Sequence, residues 1–381
     1  MTSLRATLKS ATALAAFSLS FPMASWAEEP IPVVATFSIL GDMVKRIGGE
    51  HIALTTLVGP DGDTHVYQPT PKAARSVAEA DVLFLNGLEF EGWLERLAES
   101  ASFDGAMVVA TKGVVPIAFD DHDDHDDHDD HDDHDDHDDH DKHDDHDDHD
   151  DHDDHADHDD HDDHADHDDH DDHDKHDDHD GHDDHDEHDK HDDHDNHDDH
   201  AGHDHGAFDP HAWHSLENAV IYANNIAAGL AQADPENAGD YYANRATFIS
   251  EIETLSADID AMMKNLPSDK RTVVTAHDAF GYFGATYDLT FVAPQGMSTE
   301  SEASAGDVAA LITQIREESI SAVFIESLTD NRMIEQIANE TGATIGGMLY
   351  AGALSAQSGP ASNYLDMMRH NATTLFEALG N

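Results

Sequence analysis

The sequence predicts an α/β protein built as two similar lobes joined by one long, rigid helix. Three observations carry this. Strand-like apolar runs alternate with helical stretches over residues 31–119, the same alternation resumes from Lys270, and between the two Glu236 to about Leu266 keeps a single helical period. Strand–helix alternation signals a mainly parallel sheet covered by helices.

In chain order, the first lobe reads as strands at IPVVATF (from Ile31), HIALTTLV (from His51), DVLFLNG (from Asp81) and MVVAT (from Met107). Helices fit between them at GDMVKRIGG, at PKAARSVAEA with Pro71 at its start, and around Trp93, Leu94 and Leu97. A further apolar run, VVPIAF, reads as a strand leading into an Asp/His tract. After the tract, DPHAWHSLENAVIYANNIAAGLAQADP ends in an amphipathic helix. In the long helix Tyr241, Tyr242, Phe248, Ile252, Leu255, Ile259 and Met262 recur at helical spacing, and Pro267 closes it. At 1.5 Å per residue about thirty residues span about 45 Å, enough to bridge two domains. The second lobe reads as RTVVTAH, a helix over 279–287, LTFV, a helix over 305–318, SAVFIES, a helix over 330–340, ATIGGMLY and a final helix over 364–379. The domain limits that follow are a first lobe over 28–235 with an insertion at 120–205, a linking helix over 236–267 and a second lobe over 268–381.

The insertion is almost wholly Asp and His, mostly repeating as HDD. It has no apolar face to bury, so it is expected to be disordered without metal. A solubilising acidic tail needs only carboxylates; regular insertion of imidazole points to divalent metal, since both donor types bind transition ions. Zinc, nickel, copper and cobalt all accept imidazole. The tract holds 48 Asp/Glu against three Lys, so it carries −45 of the net charge of −66. The remaining −21 still argues for cations, and against nucleic acid or anionic lipid, as partners.

The first residues read as a secretory leader over 1–27. Arg5 and Lys9 supply its positive region, Ala11 to Phe21 its apolar core, and Ser25-Trp26-Ala27 its small-x-small cleavage site, so the mature chain is expected to begin at Glu28. The apolar run is too short to span a bilayer, so no direct membrane insertion is expected. The chain has no cysteine. Disulfides and a cysteine-linked lipid anchor are therefore not expected, and any metal site must use His, Asp or Glu.

Outside the tract six histidines remain: His51, His65, His211, His214, His277 and His370. His65 lies in the loop GPDGDTHVYQPTP after a strand. His211 lies in FDPHAWH, read as following the VVPIAF strand and the tract, just before a helix. His277 ends RTVVTAH. In open α/β sheets the carboxyl ends of strands face the ligand crevice, so these three are expected to converge on one ion in the cleft between lobes. Metal–nitrogen bonds of about 2 Å demand that the loaded rings lie within about 8 Å of one another. His51 is expected at the surface, and His370 in packing or an outer hydrogen bond. His214, three residues past His211, could share its helical face as an auxiliary ligand.

Together GPDGDTHVYQPTP, DVLFLNGLEFE, DPHAWHSLENA, TAHDAFGYFGATYDL, GMSTESEAS, VFIESLTDNRMIEQIANETGA and YLDMMRHN resemble the zinc- and manganese-type periplasmic solute-binding proteins of bacterial ABC importers. The likeness runs from about Pro32 to Leu379, interrupted by the tract. It implies two α/β lobes with a backbone helix, no enzymatic activity, a periplasmic monomer that delivers metal to the membrane permease of an ABC importer, and His65, His211 and His277 as ligands. Zinc-type members often carry a His-rich insertion at this place. The family commonly supplies a fourth ligand, an Asp, after the last strand, where LYAGALS here puts Gly352. Water is the first expectation for the fourth position. Asp63, Glu326, His214 or a tract histidine such as His203 or His205 are the alternatives. Asp63 and Glu326 also read as a turn residue and a structural carboxylate. Three neutral imidazoles favour Zn2+ over Mn2+, which prefers oxygen donors.

Two other functions fit parts of the same pattern. A zinc hydrolase can use three histidines and water, but no HExxH or comparable signature is present. A periplasmic zinc buffer or metallochaperone would act mainly through the tract.

Overall fold

The computed structural model describes residues 29–118 and 208–380. The expected leader and its cleavage site, and the Asp/His tract with His203 and His205, lie outside the described residues.

The first lobe comprises β1 (Ile31–Phe37), α1 (Ser38–Gly48), β2 (Ile52–Val58), α2 (Pro71–Ala78), β3 (Val82–Leu85), α3 (Leu94–Ala101) and β4 (Ala106–Val109). Its strands form one parallel sheet in the order β2-β1-β3-β4. In central β1, Val33 through Phe37 are fully enclosed, as a strand covered on both faces must be. The helix α4 (Leu216–Ala233) leads into α5 (Ala238–Met263). The second lobe follows as β5 (Thr272–Val274), α6 (Gly281–Tyr287), β6 (Thr290–Val292), α7 (Ala305–Glu318), β7 (Ala322–Glu326), α8 (Arg332–Thr341), β8 (Thr344–Leu349) and α9 (Tyr364–Leu379). Its parallel sheet has the order β6-β5-β7-β8, the topology of the first lobe repeated.

Local sequence explains most boundaries. Thr70 caps α2, accepting the Ala73 N–H at 3.2 Å, with Pro71 in the first turn where its missing N–H costs nothing. Ser215 caps α4 in the same way, and Ser304 with Asp307 forms a capping box on α7. Pro235 and the side chain of Asp234 make a short 3-10 turn over Pro235–Asn237, so α5 begins two residues later than its periodicity suggests.

The 26 residues of α5 span about 39 Å. Tyr241, Phe248, Ile252, Leu255, Ile259 and Met263 form its buried stripe, packed on α1 and α4 at one side and α9 at the other. Tyr242, 42 % exposed, and half-buried Met262 fall off that stripe. One hydrophobic cluster runs without a break through the first sheet, α4, α5 and α9 into β5, β7 and α6 of the second lobe. A smaller cluster under α7 and α8 closes the far face of the second sheet. The lobes thus share a core, and α5 is part of it.

Two sequence expectations fail. No strand forms at VVPIAF: only an isolated bridge joins Ala118 to Phe208. Pro116 has no N–H to give a ladder and Val115 is 84 % exposed, so this run has neither the hydrogen bonds nor the burial a strand needs. His211 accordingly follows an irregular segment, not a strand. And α1 starts at Ser38 directly after β1, three residues before the helical pattern suggests, because Ser38, Ile39 and Leu40 are already buried on its inner face.

Candidate metal site

In each sheet the connection reverses direction beside the first strand, between β1 and β3 and between β5 and β7. The carboxyl end of an open α/β sheet at such a switch point is where ligands bind. The second-lobe switch brings together His277, three residues beyond β5, and Glu326, the last residue of the neighbouring β7.

His65 sits in the loop after β2. Asp63, two residues earlier, accepts the His65 backbone N–H with Oδ1 at 2.9 Å, and its Oδ2 accepts the Thr299 hydroxyl at 2.6 Å. Phe90 meets the His65 ring edge-on at 4.9 Å. His211 leads into the 3-10 turn Ala212–His214. Asp209, again two residues earlier, takes its backbone N–H and its Nδ1 on the same Oδ1, both at 2.8 Å. Glu326 does the corresponding work for His277. Its Oε1 accepts the backbone N–H groups of Ala276 at 2.8 Å and His277 at 2.9 Å, and Oε2 lies 2.5 Å from Nδ1.

The three rings meet. Their centroids are 5.5 Å (His65–His211), 5.5 Å (His211–His277) and 6.1 Å (His65–His277) apart. The Nε2 atoms of His65 and His211 are 3.3 Å apart. One nitrogen from each ring lies within 4.8 Å of the other two, the one group of three or more such donors among the described residues. His211 and His277 are buried and His65 is half-buried. Asp209 takes Nδ1 of His211, and Glu326 Oε2 lies against Nδ1 of His277, so Nε2 is left to face the other rings, as in metal-binding imidazoles oriented by an outer carboxylate.

Burial governs the charge state. It lowers the pKa of His211 well below the ordinary value, with the nearby His277 adding to the effect, so this ring is neutral and able to donate a lone pair. Burial acts on His277 in the same direction, but Glu326 beside it outweighs that and raises the pKa. Asp209 and Asp278 are pushed up to about 6, chiefly by burial.

The other candidate residues lie elsewhere. His214 is fully buried, but its Nε2 is 2.9 Å from the Ala351 carbonyl and its ring packs at a tilt on Phe280, 4.6 Å between centroids, so it is outside the trio. Burial lowers its pKa to about 3. Asp63 and Glu326 hold the loop and the ring of two histidines rather than joining the donor group. Gly352 is buried beside Leu328 and carries no donor side chain. His51 pairs with Asp240 at 2.9 Å, and His370 contacts the Met348 carbonyl at 3.0 Å.

Asp209 is the residue sequence reasoning passed over. The signal was present: Asp63-Thr-His65 and Asp209-Pro-His211 both place an aspartate two residues before the histidine, where its short side chain reaches that residue's N–H. Gly281 completes the pocket for Asp209. A Cβ there would stand 2.6 Å from Asp209 Oδ2.

Two parallel α/β lobes sharing a core, with convergent imidazoles at the mouth of both sheets, define a metal-binding solute-binding protein of the kind that serves ABC transporters, a class of carriers rather than enzymes. The chain belongs to the ZnuA family, the periplasmic component A of zinc-uptake complexes, which it matches over residues 33–378. It is 24% identical over 352 residues to the manganese-binding lipoprotein MntA of Halalkalibacterium halodurans, covering 92% of this chain and 89% of that protein. It is 25% identical over 348 residues to the iron-binding protein YfeA of Yersinia pestis, covering 91% and 86%. Among solved structures, the periplasmic zinc binding protein TroA of Treponema pallidum superposes with a TM-score of 0.67 at 21% identity, over 93% of this chain and all of that one. A manganese-bound periplasmic metal binding protein of Candidatus Liberibacter asiaticus gives 0.64 at 23% identity, over 91% and 98%.

Proposed function

We propose that this protein captures Zn2+ in the periplasm on His65, His211 and His277 and hands it to the membrane permease of an ABC importer. The observation that carries the reading is a donor group made of imidazole alone. Relatives are named for manganese, iron or zinc, so the family leaves the metal open. Imidazole without carboxylate suits zinc, whereas manganese seeks oxygen donors. The spacing agrees: two nitrogens each about 2.05 Å from a tetrahedral zinc lie about 3.3 Å apart, which is the separation of His65 and His211 Nε2. Zinc here is cargo, and water in the fourth place keeps it exchangeable.

The Asp/His tract supplies an auxiliary, low-affinity store of zinc, since its sequence repeats many like imidazole and carboxylate donors. Several relatives are named lipoproteins. The 381 residues here contain no cysteine for a lipid to join, and on this reading the protein acts as a periplasmic monomer. Among the described residues no helix is long and apolar enough to cross a membrane.

Calorimetric zinc titration of the wild type, of a deletion of residues 121–203, and of His65→Ala, His211→Ala and His277→Ala tests this. One tight site lost in each point variant, and weaker sites lost in the deletion, is the expected pattern. The richness of the tract in histidine also fits a zinc buffer. That reading gains if the deletion abolishes zinc-dependent growth while the point variants support it.

A further inference from the structure

The loop between β6 and α7 reaches both halves of the site. At its start Gln295 pairs with His277 in an isolated parallel bridge, and the Asp278 N–H donates to the Gln295 and Gly296 carbonyls at 3.1 and 3.2 Å. The Gln295 side-chain amide donates back to the Ser298 and Ser301 carbonyls, so the loop is tied to itself and to the strand end that bears His277. At its far end the Thr299 hydroxyl donates to Asp63 Oδ2 at 2.6 Å, while Asp63 Oδ1 holds the backbone of His65. Between these anchors Met297 is buried, and it lines a cavity of about 570 Å³ whose opposite wall includes His65, Phe90 and Trp93. The segment therefore lines the pocket's mouth from the second lobe, and the Thr299–Asp63 bond joins it to the first lobe.

We propose that Thr299 is a positioning residue for metal release: residues 295–301 are a strap, and the Thr299–Asp63 bond, by joining it to the His65 loop, sets how fast bound metal leaves. This rests on the reading that the three histidines hold the metal. The ion passes the strap as it leaves, so a bond that holds the strap to Asp63 slows departure. A hydrogen bond to a charged partner is strong enough to change a rate about tenfold.

The test is stopped-flow zinc release into excess EDTA from the full chain, for the wild type, Thr299→Val and Thr299→Ser. The valine variant keeps the shape and loses the hydroxyl; serine keeps the hydroxyl. The expected result is release about tenfold faster from T299V and release from T299S close to wild type. Equal off-rates for T299V and wild type, or equal off-rates for T299S and T299V when both are fast, overturn the proposal. Failure of the underlying histidine reading looks different: the wild type itself would show no tight zinc that His65→Ala removes.

Discussion

Nδ1 of His277 lies 2.5 Å from Oε2 of Glu326, and both side chains are buried. The same carboxylate receives two backbone N–H groups of the segment it orients. It therefore sets the ring's angle, its tautomer and its charge together. Removing such an outer partner typically lowers metal affinity about 10–100-fold. Glu326→Gln is expected to fall in that range in a chelator-competition titration with zinc. An unchanged affinity would show that the ring is held by packing alone.

Gly281→Ala addresses Asp209. The added methyl would sit 2.6 Å from Asp209 Oδ2, and Oδ1 of the same carboxylate holds the backbone N–H and Nδ1 of His211. Gly281 is the first residue of α6, so alanine suits the helix. Zinc affinity is expected to fall by about tenfold with little loss in apo Tm. Calorimetry and thermal unfolding on one preparation separate the two effects.

Gly352→Asp tests metal preference. A Cβ at this position meets only Leu328 Cδ1, at 3.4 Å, so the side chain has room to enter. One carboxylate added to three imidazoles supplies the harder donor that manganese seeks. The ratio of manganese to zinc affinity, measured by competition, is expected to rise. A ratio equal to wild type would place residue 352 out of reach of the ion.

Glu91 gives a pH signature independent of metal. Burial pushes its carboxyl from 4.5 up to about 7, against hydrogen bonds from Thr36 and from the backbone of Asn86 and Gly87. Between those two values the unfolded chain has released this proton and the folded chain has kept it. Stability therefore falls as pH rises through that window and levels off above it. The difference is on the order of 3 kcal/mol. Glu91→Gln carries no proton to lose. Its Tm relative to wild type is expected to improve from pH 4.5 to pH 7 and then stay constant. A parallel pair of Tm curves would contradict the shift.

Much of this molecule can be read from its chain. Repeating strand–helix periods fix two parallel-sheet lobes, because burial on both faces of a strand and one face of a helix leaves a pattern in consecutive residues. The stripe from Tyr241 to Ile259 marks α5 for the same reason. Capping by Thr70, Ser215 and Ser304 is likewise local. His65, His211 and His277 can be picked out by their places ahead of helices, though His211 follows no strand, since exposed Val115 and Pro116 cannot build one.

Only the tertiary structure decided which carboxylate serves which ring and how the lobes are fastened across the pocket. Asp209 lies two residues from His211, yet the glycine that admits it is Gly281, in the other lobe. Glu326 reaches His277 because β7 runs beside β5, and Thr299 reaches Asp63 across 236 residues of sequence. His214, next to the site in sequence, is turned to the Ala351 carbonyl instead. Hydrophobic periodicity records which side of an element is buried. It does not record what that side meets, and a metal pocket is made of those meetings.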